Sequence, residues 1–224
     1  MKIGIIGVVL SLLVMSATPS FAEGFLDFYA GPSFTDNATV TINSNVASTS
    51  KKVSFERDVT YGARGGYWFK KQRWLGVGGD FSSMHAKGAT ARFDLAPLTP
   101  MVMFRLPLLS DENIPQGMLQ PYIGIGPSIS LYTYASADNG PPTNKINSWG
   151  INAGFQVPAG VALQLSKHIA LFGEYRYAYY RVNVLQDTTT YLFNAAIGNS
   201  DNIAKKVTAS LSMHNVLFGV SFRF

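Results

Sequence analysis

"WGINAGFQVPAGVALQLS" (Trp149–Ser166) is the stretch on which the fold of this chain turns. Its odd positions, Trp149, Ile151, Ala153, Phe155, Val157, Ala159, Val161, Leu163 and Leu165, are all apolar. Its even positions run through Gly150, Asn152, Gln156 and Gln164 to Ser166 and are mostly small or polar. A period of two belongs to a β-strand, whose successive side chains point to opposite faces. One face suits hydrocarbon; the other suits a narrow, polar interior.

The same period recurs on both sides of it. Pro121–Tyr132 alternates Pro, Ile, Ile, Pro, Ile, Leu with Tyr, Gly, Gly, Ser, Ser, Tyr. Leu75–Ser82 and Ile169–Tyr179 follow the rule, and Phe25–Phe34, Val59–Phe69, Leu98–Leu108 and Lys206–Phe224 follow it less perfectly. The last segment closes on Val216, Phe218, Val220, Phe222 and Phe224 on one parity. The count is eight segments.

Composition agrees. The 224 residues are 47% hydrophobic but only 14% charged, against about 25% charged in a typical soluble domain. With no cysteine, disulfides and thiolate metal sites are excluded. The formal charge of +5 is scattered, with no Lys/Arg run beyond two, so nucleic-acid binding is not expected. Residues 1–22 read as a signal peptide: Lys2, the apolar run Ile3–Met15, then Ser20-Phe21-Ala22. Cleavage is expected between Ala22 and Glu23, leaving 23–224 as one barrel domain. No later segment has a run of 18 apolar residues, as a helical span would need. Lipid admits only helices or closed barrels, because backbone polar groups must pair internally.

The expectation is therefore all-β: a closed eight-stranded antiparallel transmembrane β-barrel with short periplasmic turns and long extracellular loops. The short turns are Lys70–Arg73, Ser110–Gly117 and Lys167-His168. The long loops are Thr35–Asp58, about His85–Asp94, Ala135–Ser148 and about Asn183–Lys205. A soluble eight-stranded ligand carrier is the rival fold. Aromatic strand ends and charges of both signs on the interior parity favour lipid outside.

"VLFGVSFRF", "PYIGIGPSIS" and "LFGEYRY" (Leu171–Tyr177) resemble strands of small outer-membrane β-barrels of the OmpA/opacity-protein type. The resemblance implies a Gram-negative outer membrane, and implies that Val220, Phe222 and Phe224 act as a signal to the barrel-assembly machinery. Two departures stand out. No peptidoglycan-binding segment follows the barrel in this sequence, and Pro97, Pro100 and Pro158 fall within strands, where bulges are expected.

An eight-stranded barrel is just wide enough for side chains to fill it. The inward charges are Asp27, Arg64, Asp80, Arg105, Glu174, Arg176 and Arg223. Arg64 with Asp80, Arg223 with Asp27, and Glu174 with Arg176 are the pairings that strand heights suggest. Such pairs either plug the lumen or gate a narrow ion path. Catalysis is not expected. Of three histidines, His168 sits in a turn, His85 and His214 sit on the lipid-facing parity near the outer rim, and none has a recognisable serine motif beside it. No cofactor or metal is expected. The glycines of "GIGPS" and "GVGGD" lie mid-strand with no helix following, which rules out a dinucleotide loop.

The sequence thus points first to a structural or surface-interacting barrel, next to a narrow channel, and last to an outer-membrane enzyme. Expected partners are outer-membrane lipid and lipopolysaccharide, the assembly machinery, and an extracellular ligand held by loops. A monomer is expected.

Overall fold

The computed structural model describes residues 22–43, 48–88, 91–111, 114–136, 147–185 and 206–224. Ten strands follow one another: β1 (Ala22–Thr35), β2 (Ala38–Asn43), β3 (Ser48–Val53), β4 (Asp58–Phe69), β5 (Leu75–Lys87), β6 (Ala91–Arg105), β7 (Leu119–Ser136), β8 (Asn147–Gln164), β9 (Ile169–Leu185) and β10 (Lys206–Arg223). Strands β1 and β4 through β10 form an antiparallel ring in that order, closed by β10 on β1. This is a closed eight-stranded barrel. The signal peptide expected over residues 1–22 lies outside the described residues except for Ala22, which pairs with Phe69.

The stagger of the ring follows from its registers. Starting at Gly24, successive partners are Tyr67, Val77, Val102 and Ile125. The flanking pairs Ile123↔Ala159 and Gly126↔Gln156 set Ile125 opposite Val157; Tyr177, His214 and Phe34 complete the circuit. The path returns to β1 ten residues above its start. Eight strands with that shear tilt by about 40° from the barrel axis, given strand spacings of ~4.8 Å and rises of ~3.3 Å. The even shear preserves the alternation of faces all the way round, so one parity lines the lumen.

Exposure follows that parity. Phe218, Phe81, Leu98, Ile129 and Ile151 project outward and are exposed, while Leu217, Asp80, Thr99, Ser128 and Asn152 beside them are buried. Water would penalise such a band; hydrocarbon solvates it. Aromatic rings fringe it. Trp74 stacks on Phe104 at 5.8 Å near the rim of the short turns, and Trp149 and Tyr61 are exposed toward the other rim.

Four sequence expectations need correction. The segment Thr35–Asp58 is not a long polar loop. β2 and β3 pair in the same register as β1 and β4, since Ser33↔Asp58 and Ala38↔Val53 belong to one ladder. The first hairpin therefore continues past the band. Its β2 side carries one extra residue against β10 between Thr35↔Met213 and Val40↔Ala209, a bulge at Asp36-Asn37. The β-branched run Thr39-Val40-Thr41-Ile42 favours the extended chain.

The connection near His85–Asp94 is not long either, because β5 runs to Lys87 and β6 starts at Ala91. Conversely, the turn at Ser110–Gly117 is part of a longer link between Arg105 and Leu119. It folds back through Gly117, whose φ of 89° is the left-handed conformation that favours glycine.

The expected bulges at Pro97, Pro100 and Pro158 do not form. Leu98↔Ile129 and Val102↔Ile125 keep one register across Pro100, and Pro158 pairs directly with Arg176. That register sets Pro100 opposite Pro127, so two residues without N–H share one gap in the ladder and neither strands a donor.

Candidate functional site

The lumen is filled in three layers. Toward the long-loop rim, Met84, Phe93, Leu95, Tyr180, Leu211 and Met213 are almost fully buried, and Ala38 and Val53 from the extended hairpin join them. Toward the short-turn rim, Phe25, Trp68, Met101, Met103, Phe172 and Leu217 form a second apolar cluster. Between them lies a layer of charge.

Arg176 on β9 and Glu174, two residues apart on one face, meet at Nη2–Oε1 2.6 Å. Arg176 Nη1 lies 3.1 Å from Asp80 Oδ1 on β5, the strand diametrically opposite in the ring. The same nitrogen donates to Tyr29 Oη at 2.8 Å, and the Tyr29 hydroxyl donates in turn to Asp80 at 2.8 Å. Arg64 on β4 sits 2.8 Å from Asp27 and 2.7 Å from Glu174. Tyr122 donates to Glu174 Oε2 at 2.7 Å, and Ser221 donates to Asp27. Two guanidiniums thus bridge the lumen at this height, Arg64 from β4 to β9 and Arg176 from β9 to β5.

Glu174 pairs with Arg176 as expected, but the other two pairings differ from those that strand height suggested. Arg64 is flanked in register by both Asp27 and Asp80, yet its ion pairs go to Asp27 and, across the lumen, to Glu174. Asp80 is engaged by Arg176 and Tyr29. A long guanidinium stem reaches over the lumen, so lateral height does not choose the partner. Arg223 lies opposite Phe25 rather than Asp27 and turns toward Glu23, at 3.7 Å.

Glu23 is the residue that the reading of the interior omitted. Its carboxylate lies 2.6 Å from Arg105, which also donates to Gln120 Oε1 at 3.0 Å and to the Arg73 carbonyl at 2.8 Å. Arg105 stacks over the Trp68 ring at 4.4 Å and Arg176 over Tyr29 at 4.5 Å. With Glu23 included, the four carboxylates Glu23, Asp27, Asp80 and Glu174 balance the four guanidiniums. Arg64, Arg105 and Arg176 are both paired and hydrogen-bonded, which makes buried charge tolerable; Arg223 has the Glu23 charge nearby, but its Nε and Nη1 find no hydrogen-bond partner among the described residues.

A cavity of about 10 Å³ separates the charged layer from the inner cluster, lined by Phe25, Arg64, Trp68, Tyr122 and Arg223 among others. That is room for about one water.

The histidines lie elsewhere. His168 Nδ1 is 3.1 Å from the Arg223 carbonyl oxygen. His214 contacts the Tyr175 hydroxyl at 2.5 Å and Asp36 at 3.2 Å. His85 Nδ1 is 2.8 Å from Asp94 Oδ1, and its Nε2 is 3.3 Å from Ser83 Oγ. No recognisable serine motif marks a histidine in the sequence, yet the strand brings Ser83 to His85. Ser83-Met84-His85 places both side chains on one face of a strand, a spacing legible in the sequence; Asp94 is supplied by the β5–β6 ladder. Among the described residues no group of three or more potential ligands could hold a metal ion.

A closed antiparallel ring with an apolar outer band and a neutralised polar interior defines a membrane-spanning β-barrel. The chain belongs to the outer membrane protein beta-barrel domain family, which it matches over residues 7–224. That family resides in the bacterial outer membrane. No curated protein matches the sequence. Among solved structures it is similar to the outer membrane protein OprG from Pseudomonas aeruginosa, at 15% identity and a TM-score of 0.54, over 91% of this chain and 97% of that one. AlkL, solved in lipid bilayers, is similar at 13% identity and a TM-score of 0.54, over 90% of each chain. Neisserial surface protein A shares 18% identity over 90% of this chain and 97% of that one, at a TM-score of 0.46. At such identities the likeness shows the fold alone.

Proposed function

We propose that this protein is an outer-membrane scaffold with a closed lumen, whose work is done at its outer surface rather than through its centre. The observation that carries this reading is the filled interior. A solute crossing the barrel would have to displace Phe93 and Tyr180, break the ion pairs of Arg64 and Arg176, and pass Trp68 and Met103. Uncoupling even one buried pair costs about 3–5 kcal/mol.

The extended β2–β3 hairpin supports a surface role. It lifts polar residues such as Thr39, Ser50 and Lys52 clear of the apolar band. Exposed cations on that side, Arg92 and Lys87 among them, suit the phosphates of lipopolysaccharide. The export of the chain by residues 1–22, and recognition of Val220, Phe222 and Phe224 by the assembly machinery, belong to this proposal too. Efflux from liposomes loaded with arabinose tests the closed lumen. The proposal expects retention equal to that of protein-free vesicles, and rapid efflux would favour the narrow channel.

A further inference from the structure

On the lipid-facing side of β5 and β6, where the apolar band gives way to polar residues, three side chains form a relay. His85 and Asp94 are direct partners across the ladder, and Ser83 lies two residues from His85 on the same face. With Nδ1–H donating to Asp94 at 2.8 Å, the imidazole presents an unprotonated Nε2 to the Ser83 hydroxyl at 3.3 Å. Arg92 donates to both oxygens of Asp94, at 2.9 and 3.0 Å, which fixes the carboxylate that orients the ring. A nucleophile, a base within hydrogen-bond reach and an orienting acid are the geometric elements of hydroxyl activation.

We infer that Ser83, His85 and Asp94 form an esterase site for the acyl ester of an anionic lipid. The surroundings select that substrate. Phe81 and Leu98, directly opposite each other one step below, are both more than half exposed and offer a bed for an acyl chain. Arg92 and Lys87 lie one step above and offer cations to a phosphate-bearing headgroup. The ester carbonyl of a membrane lipid falls between those levels, beside Ser83. Tyr61, across the β4–β5 ladder from Ser83 with its ring 6.4 Å from His85, supplies the hydroxyl assigned to the developing oxyanion.

The chemistry balances with water as the second reactant. Ser83 Oγ bonds to the ester carbonyl carbon as its proton passes to His85 Nε2. The tetrahedral adduct expels the lipid alcohol, which takes that proton, and leaves an acyl ester on Ser83. Water then attacks, giving its proton to His85; the fatty acid departs and Ser83 Oγ recovers the proton. This activity lies outside the scaffold role proposed above, and neither depends on the other.

The test uses the full-length protein purified from membranes in mild detergent, with folding verified by heat-modifiable gel mobility. It is incubated separately with phosphatidylglycerol micelles and with lipopolysaccharide, and released fatty acid is measured by mass spectrometry. A fluorophosphonate probe is mapped in parallel. The expected result is fatty-acid release in one arm, which identifies the lipid, with at least a ~100-fold loss in Ser83→Ala and His85→Asn. The probe should label Ser83, and His85→Asn should prevent the labelling. No release in either arm, release that persists in Ser83→Ala, or labelling of Ser83 no greater than that of exposed Ser210 would overturn the inference.

Discussion

Arg176→Met removes the guanidinium that ties β9 to β5 across the lumen while keeping most of the stem's volume. Asp80 then loses its ion pair at 3.1 Å and keeps only the Tyr29 hydroxyl, and Glu174 keeps Arg64 and the Tyr122 hydroxyl. Both carboxylates are at most 3% exposed, so solvent cannot replace the lost partner. Removing one member of a buried pair costs about 3–5 kcal/mol. Taking a urea m-value of ~2 kcal/mol per M, the unfolding midpoint falls by about 1.5–2.5 M. The assay is tryptophan-fluorescence unfolding of the protein in detergent micelles. Lys87→Ala serves as the comparison, because its pair with Glu56, at 3.6 Å, is more than half exposed; that change should cost less than about 1 kcal/mol. Adding Asp80→Asn to Arg176→Met should recover part of the loss, since it neutralises the carboxylate left without an ion pair. If Arg176→Met moved the midpoint no further than Lys87→Ala, the cross-lumen network would not hold the barrel as argued.

Other perturbations bear on the remaining layers. Phe93→Ala opens the outer cluster, where Phe93 packs 5.0 Å from the Tyr134 ring, and should lower stability by about 3–5 kcal/mol in the same unfolding assay. Gly62→Ala places a methyl carbon 2.6 Å from Tyr29 Oη and 2.5 Å from the Phe81 carbonyl oxygen, so strain of about 1–3 kcal/mol should appear as a lower urea midpoint. Glu23→Gln leaves Arg105 without its carboxylate and should cost about 1.5–3 kcal/mol, less than Arg176→Met because Glu23 is partly exposed and Gln120 still accepts from Arg105. Phe224→Ala leaves the buried layers intact and should slow insertion into proteoliposomes bearing the assembly machinery while leaving the unfolding midpoint within about 0.5 M.

The ring was legible because a transmembrane strand exposes its period twice, to lipid and to lumen. Trp149–Ser166 shows this without interruption, and the parity it defines places Asp27, Arg64 and Asp80 inside. Partner choice inside the lumen was not legible. It depends on the reach of Arg64 and Arg176 across a space whose width and stagger emerge only when β10 closes on β1. Glu23 escaped notice because it lies just before the first alternating segment, where no pattern marks its face. The β2–β3 extension was hidden by its Asn, Ser and Thr content, which resembles loop although its β-branched residues extend the chain. The serine beside His85 needed only the two-residue period of β5, but Asp94 comes from the next strand and its register was unknown.

Single-channel recording in planar bilayers tests the closed lumen most directly, with insertion verified by protease protection of the barrel. The account predicts a flat baseline for the wild-type protein at up to 100 mV. Discrete conductance steps from wild-type protein, altered in size by Arg176→Met, would show an ion path through the charged layer and contradict it.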